Sequence, residues 1–284
     1  FQQSSSVALV LLIPNLLSIQ QFSHLTLIAT LLSFSVIADF GMGHIYTKKL
    51  PGLLIQADSK IVLIWDTTVF TLRIFGATIL ALISMSLFVL KTNDWRSAIW
   101  LSLVIPVSAV GAFTSARCVV TSRFDTLRDI SIAQSFLKLI SIPGAYFLGV
   151  TGWLMGHIIS AMALFGFRSV RKKLHDLYRN LRLFDYTLIR EHISEAIVLC
   201  LIGIVWIQLM TSSRLSAILY FSDETIAHYG LASGIYQLGT AIIIAAFTPQ
   251  TVIIYKLFSK NHSEGIKYAF KISSIGVSTV LLVS

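Results

Sequence analysis

Charged residues are scarce in this 284-residue sequence: Asp, Glu, Lys and Arg together make up only 12% of it. Soluble domains carry about 25% charged residues. Here 55% of the residues are hydrophobic and the mean hydropathy is +0.80. No soluble fold can bury so much apolar surface, because a large share of any globule faces water. The scarcity of charge therefore excludes a soluble globule and indicates an integral membrane protein.

Cysteines and catalytic motifs are also few. The sequence has two cysteines, Cys118 and Cys200, both in apolar surroundings. It has no CxxC pair and no Cys/His spacing, so neither a metal site nor a disulfide framework is predicted. Gly-rich phosphate loops, Asp-x-Asp pairs and GxSxG motifs are missing as well. These absences argue against an enzyme, and we predict no cofactor.

Apolar segments follow one another along the chain with short breaks. Helices are the expected structure, because the sequence shows no alternating ten-residue pattern of a membrane barrel. The fold class predicted is an all-α integral membrane protein. The helices that cross the membrane are predicted at 4–19, 24–48, 61–90, 97–121, 129–149, 151–170, 192–213, 226–256 and 268–284, the last one cut short.

The distribution of cations predicts the topology. Of the 22 lysines and arginines, 16 fall in breaks on one side, 3 in breaks on the other and 3 within the spans. Cytoplasmic loops carry the excess of Lys and Arg, so the N-terminus is predicted inside. Because the cations follow this rule, the net charge of +9 needs no nucleic-acid partner.

The longest break, residues 168–191, is predicted to be a basic amphipathic helix on the inner membrane surface. It would separate a first transmembrane lobe (1–170) from a partial second lobe (192–284), with 171–191 as the cytoplasmic linker. Its apolar residues recur at three- and four-residue spacing: Val170, Leu174, Leu177, Tyr178, Leu181 and Phe184.

The second span carries a carboxylate where lipid would not tolerate it. Asp39 lies in the dense sequence ADFGMG at residues 38–43. The stretch from His24 to Leu50 also resembles the stretch from His228 to Leu257, since both open with histidine and close on a similar Ile-Tyr-Lys ending. We interpret this as a trace of two similar halves.

Four charged residues fall within predicted spans of the first lobe: Asp39, Asp66, Arg73 and Lys138. Each such charge costs about 2.5–3.5 kcal/mol on insertion scales, so each needs a partner or a wet cavity. One interpretation is a structural set of ion pairs, in which Asp39 or Asp66 neutralises Arg73 and Lys138. The other is a shared cationic pocket, in which Arg73 and Lys138 contact a phosphate of the substrate. The sequence leaves both open.

Two stretches resemble a known family. They are SFSVIADFGMGHIYTKKL (residues 33–50) and DETIAHYGLASGIYQLGTAIIIAAFTP (residues 223–249). They are similar to the polysaccharide-biosynthesis flippases, the O-antigen (Wzx-type) transporters of the multidrug/oligosaccharidyl-lipid/polysaccharide exporter superfamily. The resemblance covers the whole chain diffusely, without a short catalytic signature.

The resemblance implies two pseudo-symmetric six-helix bundles around a central, partly cationic cavity that opens alternately to either side. It implies a substrate of undecaprenyl-diphosphate-linked oligosaccharide, moved from the cytoplasmic to the periplasmic leaflet of the bacterial inner membrane, with other polysaccharide assembly proteins as further partners. The substrate-binding candidates it implies are Asp39, Asp66, Arg73 and Lys138.

Two alternatives stay open at this point. A cation-coupled multidrug-type exporter of the same superfamily would have the same architecture and an acidic cavity. A membrane O-antigen polymerase or ligase would need a large outer loop with arginine and histidine, which is not apparent. The chain starts at Phe1 and stops inside an apolar run, so we expect a fragment whose second lobe is truncated.

Overall fold

The computed structural model describes residues 12–56, 59–236 and 262–283. In these ranges the chain is helical and has no strands, which confirms the predicted all-α class. The helices are α1 (Ile19–Ser33), α2 (Met42–Gln56), α3 (Ser59–Thr92), α4 (Trp95–Val120), α5 (Phe124–Lys138), α6 (Ser141–Met162), α7 (Arg168–Arg179), α8 (Tyr186–Tyr220), α9 (223–236) and α10 (His262–Val283).

Five segments of the described chain are long and apolar enough to cross a membrane: Ile19–Ile37, Ser59–Thr92, Trp95–Val120, Ser141–Gly166 and Tyr186–Leu209. Large apolar side chains on these segments are exposed, as at Leu90 (83%) and Leu209 (70%). So much exposed apolar surface would be unfavourable in water and is suited to contact with lipid. The multi-pass membrane character predicted from the composition is therefore confirmed.

The second predicted span, 24–48, is not one continuous helix. After α1 the chain makes a 3-10 turn at Phe34–Ile37, leaves helical geometry, and starts again at Met42 with α2. Phe40 and Gly41 have positive φ angles of 52° and 85°, which an α-helix does not contain. The prediction of an unbroken span is wrong here because the residues at 38–41 form a turn.

Helices α1 and α2 nevertheless follow one another along α3 and run antiparallel to it. The His24 ring packs edge-on against Phe88 near the end of α3, at 5.8 Å between ring centroids. Further along, Asp39 meets Arg73, so the partners move towards the start of α3 as the path continues. The path α1–α2 is therefore a discontinuous crossing beside the 34-residue α3.

Helix α6 is a hairpin of two short limbs. Gly149 has φ 60° and ψ −140°, a conformation open only to glycine, and the chain reverses there. A Cβ placed on Gly152 would lie 1.9 Å from the carbonyl oxygen of Gly144, although a straight helix would hold these residues about 12 Å apart. Helix α5 and the first limb form one run, and the second limb lies beside it. These two runs lie close to the predicted fifth and sixth spans, 129–149 and 151–170.

The predicted amphipathic helix is present as α7. Val170 and Leu177 are buried against the bundle, Leu174 packs beside them, and Tyr178 is 72% exposed. After a short 3-10 turn, Asp185 caps α8 by accepting the Thr187 backbone N–H at 2.8 Å. The Thr187 hydroxyl and backbone N–H hold the pKa of this carboxyl below its usual range.

The described residues fall into two units, divided between Ser233 and Gly234. In the first unit, α3 and α4 form the centre and α1, α5, α6 and α8 pack around them. Residues 192–233, assigned from the sequence to the second lobe, lie in this same unit. The predicted spans at 4–19 and 226–256 extend partly outside the described residues.

Candidate functional site

The break between α1 and α2 is wedged between two other membrane helices. A Cβ on Gly76 of α3 would lie 1.9 Å from the carbonyl oxygen of Ala38. A Cβ on Gly41 would lie 2.2 Å from the carbonyl oxygen of Ala196 on α8. The turn therefore fits because two glycines, one on α3 and one in the turn itself, permit backbone contact with α3 and α8.

This turn packs beside the middle of α3. Gly76 stands at the middle of the 34-residue α3, which spans about 51 Å at about 1.5 Å per residue. That length exceeds the ~30 Å hydrocarbon core, and a bilayer centred on α3 would place Gly76 at its midplane. Backbone that leaves helical geometry at such depth is found where it is buried in protein or lines a water-filled cavity.

Asp39 is the charged group of the turn. It is 2% exposed, and its Oδ2 lies 2.5 Å from Nη2 of Arg73. Its Oδ1 accepts the backbone N–H of Gly41 at 3.1 Å. A Cβ on Gly43 would lie 2.2 Å from Asp39 Oδ2, so the carboxylate rests on the first turn of α2.

The charges around Asp39 are complementary to a carboxylate. The N-terminus of α2 carries a partial positive charge, which stabilises a carboxylate placed on it. Arg73, with 13% of its side chain exposed, supplies the full opposite charge. A buried pair of this kind is tolerated only while both members are present, because either one alone would be an uncompensated charge.

A second charged cluster lies two turns lower on α3, around Asp66. This carboxylate is fully buried and accepts the Tyr46 hydroxyl at 2.7 Å. It also contacts Arg117 of α4 and lies 2.8 Å from Nζ of Lys173 on α7. One carboxylate thus joins four helices, α2, α3, α4 and α7.

The four residues singled out in the sequence do not form one cluster. Asp39 and Arg73 are paired, as the structural interpretation expected. Asp66 does not neutralise Arg73 or Lys138, because seven residues of helix, about 10 Å, separate it from Arg73 and bring it to Arg117 and Lys173 instead.

Lys138 lies apart from both pairs. It is the last residue of α5, and α5 packs mainly against α6 and α4. Among the described residues no ion pair or hydrogen bond joins Lys138 to the groups at Asp39 or Asp66. Among the described residues, Arg73 and Lys138 are therefore not joined through a shared carboxylate.

Sequence reasoning missed Tyr46, Arg117 and Lys173. In the sequence, Arg117 and Lys173 belong to the cations near loops that predict the topology. The useful signal was the hairpin of α3 and α4: Asp66 and Arg117 lie at similar distances from its short turn at residues 93–94. Two antiparallel helices joined by so short a turn bring such positions side by side.

No family model, curated protein or solved structure matches this chain. Its function is therefore inferred from the geometry of the interrupted helix and of the charges around it.

Proposed function

We propose that this chain is a flippase that moves a diphosphate-linked lipid oligosaccharide from the cytoplasmic to the periplasmic leaflet of a bacterial inner membrane by alternating access. The observation that carries the proposal is the break at residues 38–41, beside the middle of α3, with the buried Asp39–Arg73 pair on it. The cargo would be an undecaprenyl-diphosphate-linked repeat unit of O-antigen or a related polysaccharide.

The interrupted helix supports a transporter over a purely structural membrane protein. A continuous helix would satisfy its own backbone hydrogen bonds, whereas a break in lipid needs protein or water to do so. Secondary transporters place discontinuous helices at the midplane and use the positive N-terminus of a half-helix to hold anionic groups. Here the N-terminus of α2 is occupied by the Asp39 carboxylate.

The proposed role of the pair is exchange. Arg73 is held by Asp39. A diphosphate that reached the break would compete with Asp39 for the guanidinium, whose planar donors match phosphate oxygens. Release of Asp39 would free the turn at residues 38–41 to move, and the polyprenyl tail would stay in lipid. Asp66 would act as the fixed anchor that holds α7 to the bundle.

The proposal includes a second, matching helical bundle, which the resemblance to the flippases implies. Two pseudo-symmetric lobes would enclose the cavity, and the exposed apolar face of α8 would lie towards lipid or the second lobe. The Lys- and Arg-rich end, which carries α7, would be cytoplasmic.

The test is made in the native host. Arg73→Ala should abolish surface polysaccharide and cause lipid-linked oligosaccharide to accumulate, with both measured per amount of protein in the membrane because the change also destabilises the fold. Arg73→Lys should retain partial activity, since the lysine ammonium keeps the positive charge but lacks the planar set of guanidinium donors. Arg128→Ala, on an exposed part of α5, is the matched control. Normal surface polysaccharide in Arg73→Ala would remove the pair from the mechanism.

A second candidate is a cation-coupled exporter, which the buried carboxylate of Asp39 favours. In that case Asp39 would exchange a proton or a metal cation, and Asp39→Asn would abolish transport. In the flippase, the same change would weaken the hold on Arg73 and leave the cationic site in place, so substrate binding would persist.

A further inference from the structure

A separate pocket of about 260 Å³ lies at the cation-rich end of the first unit, between the end of α4, the start of α5 and helix α7. It is distinct from the helix break, which lies near the middle of α3. Its wall includes Phe113 and Val170, and its polar groups come from all three helices. It is larger than the cavity of about 90 Å³ that His24 and Asp223 line.

Four cations line this pocket at two levels. Arg117 and Lys173 are half-buried and also hold the Asp66 carboxylate. Arg123 and Lys172 are exposed at the rim. The only carboxylate among the lining residues is Asp176. Counting Asp66 behind the wall, four cations face two carboxylates, which leaves two positive charges uncompensated.

Two helix N-termini add to this positive field. Arg123 is the N-cap of α5 and Phe167 the N-cap of α7, and neither gives a side-chain capping hydrogen bond. Thr126 in the first turn of α5 and Ser169 in the first turn of α7 line the pocket. Uncapped N-termini offer backbone N–H groups to an anion, and the hydroxyls add further donors.

We propose that this pocket binds a group carrying two phosphates, the head group of a lipid in the leaflet next to α7. Two uncompensated positive charges match a doubly charged diphosphate or bisphosphate. A volume of about 260 Å³ is just below the ~300–1,000 Å³ of ordinary small-molecule sites, so it holds a head group and not a whole oligosaccharide. An amphipathic helix such as α7 lies at head-group depth, where anionic lipids are found.

This inference does not depend on transport, and its test measures binding. The full chain is purified and its binding of a polyprenyl diphosphate, of cardiolipin and of inorganic pyrophosphate is measured by native mass spectrometry, with phosphatidylcholine as the uncharged comparison. The variant is Arg123→Gln with Lys172→Gln, which removes the rim cations and leaves the Asp66 cluster intact. The matched control is Arg128→Gln with Arg179→Gln, the same charge change on the same two helices outside the pocket.

The rim variant should bind roughly tenfold more weakly for each lost charge-assisted contact, thus roughly a hundredfold in all, while the control binds as the parent does. The ligand whose binding is weakened in the rim variant identifies where the diphosphate group comes from: a polyprenyl carrier, a resident phospholipid or a soluble diphosphate. Equal binding by the rim variant and the parent, or an equal loss in the control, would overturn the proposal. So would binding of phosphatidylcholine as tight as that of the three phosphate ligands.

Discussion

Replacing Arg73 with methionine should destabilise the first unit by about 3–5 kcal/mol. Methionine is flexible and fills much of the same space, so packing is largely kept. The loss comes from Asp39, which is 2% exposed and would stay buried without its cation. Removal of one partner from a buried pair is costly because the other charge stays out of water.

Thermal unfolding in detergent measures this loss, and the five tryptophans provide the signal. One kcal/mol shifts the Tm by about 2–4 °C in domains of about 150–250 residues, so the Tm should fall by roughly 6–20 °C. Arg128→Met is the control, since Arg128 has 64% of its side chain exposed and pairs only with exposed carboxylates. Its Tm should stay within about 1–2 °C of the parent, because exposed pairs contribute little.

The double variant Asp39→Asn with Arg73→Met separates the pair from each residue alone. The side-chain oxygen of the introduced asparagine would still accept the Gly41 N–H, and no charge would be left buried. The double variant should therefore recover most of the decrease in Tm, since removal of both charges often has little effect on stability. The reasoning would be refuted if Arg73→Met unfolded at the temperature of Arg128→Met, or if the double variant were less stable than Arg73→Met.

Three further predictions concern the elements that position this pair. Gly76→Val should prevent the turn from docking, since its Cβ would lie 1.9 Å from a carbonyl oxygen, and should lower the yield of folded protein in size-exclusion chromatography. Gly52→Ala, with open space around the residue, should fold normally in the same assay. Asp66→Asn should loosen α7 and speed proteolysis between residues 168 and 184, and Asp129→Asn, at an exposed ion pair, should not; equal cleavage rates in these two variants would contradict the anchor role. Gly149→Ala should lower the Tm by an amount that corresponds to about 1–3 kcal/mol, because alanine does not tolerate φ 60° with ψ −140°, and an unchanged Tm would contradict the hairpin.

The membrane class, the amphipathic helix and the boundary between the fifth and sixth spans could be predicted from the sequence. Each depends on a local pattern: the scarcity of charge, the three- and four-residue spacing from Val170 to Leu177, and the junction near Gly149. These patterns predict structure without knowledge of the tertiary fold, because lipid and the membrane surface act on each segment separately.

The helix break could not be read in the same way. The apolar residues of 24–48 predicted one span despite Asp39, and the turn forms because Gly76 and Ala196, distant in sequence, contact it. The partners of Asp66 were hidden for a related reason, since Arg117 and Lys173 look like ordinary loop cations until α4 and α7 fold against α3. Long-range packing, not local preference, decides both features.

Transport by the double variant Asp39→Asn with Arg73→Met is the most direct test of the account. Reconstituted into proteoliposomes, this variant should be folded, with a Tm near that of the parent, and yet fail to translocate a diphosphate-linked lipid oligosaccharide. Translocation at the rate of the parent protein would show that the charge pair at the broken helix has no part in moving the cargo.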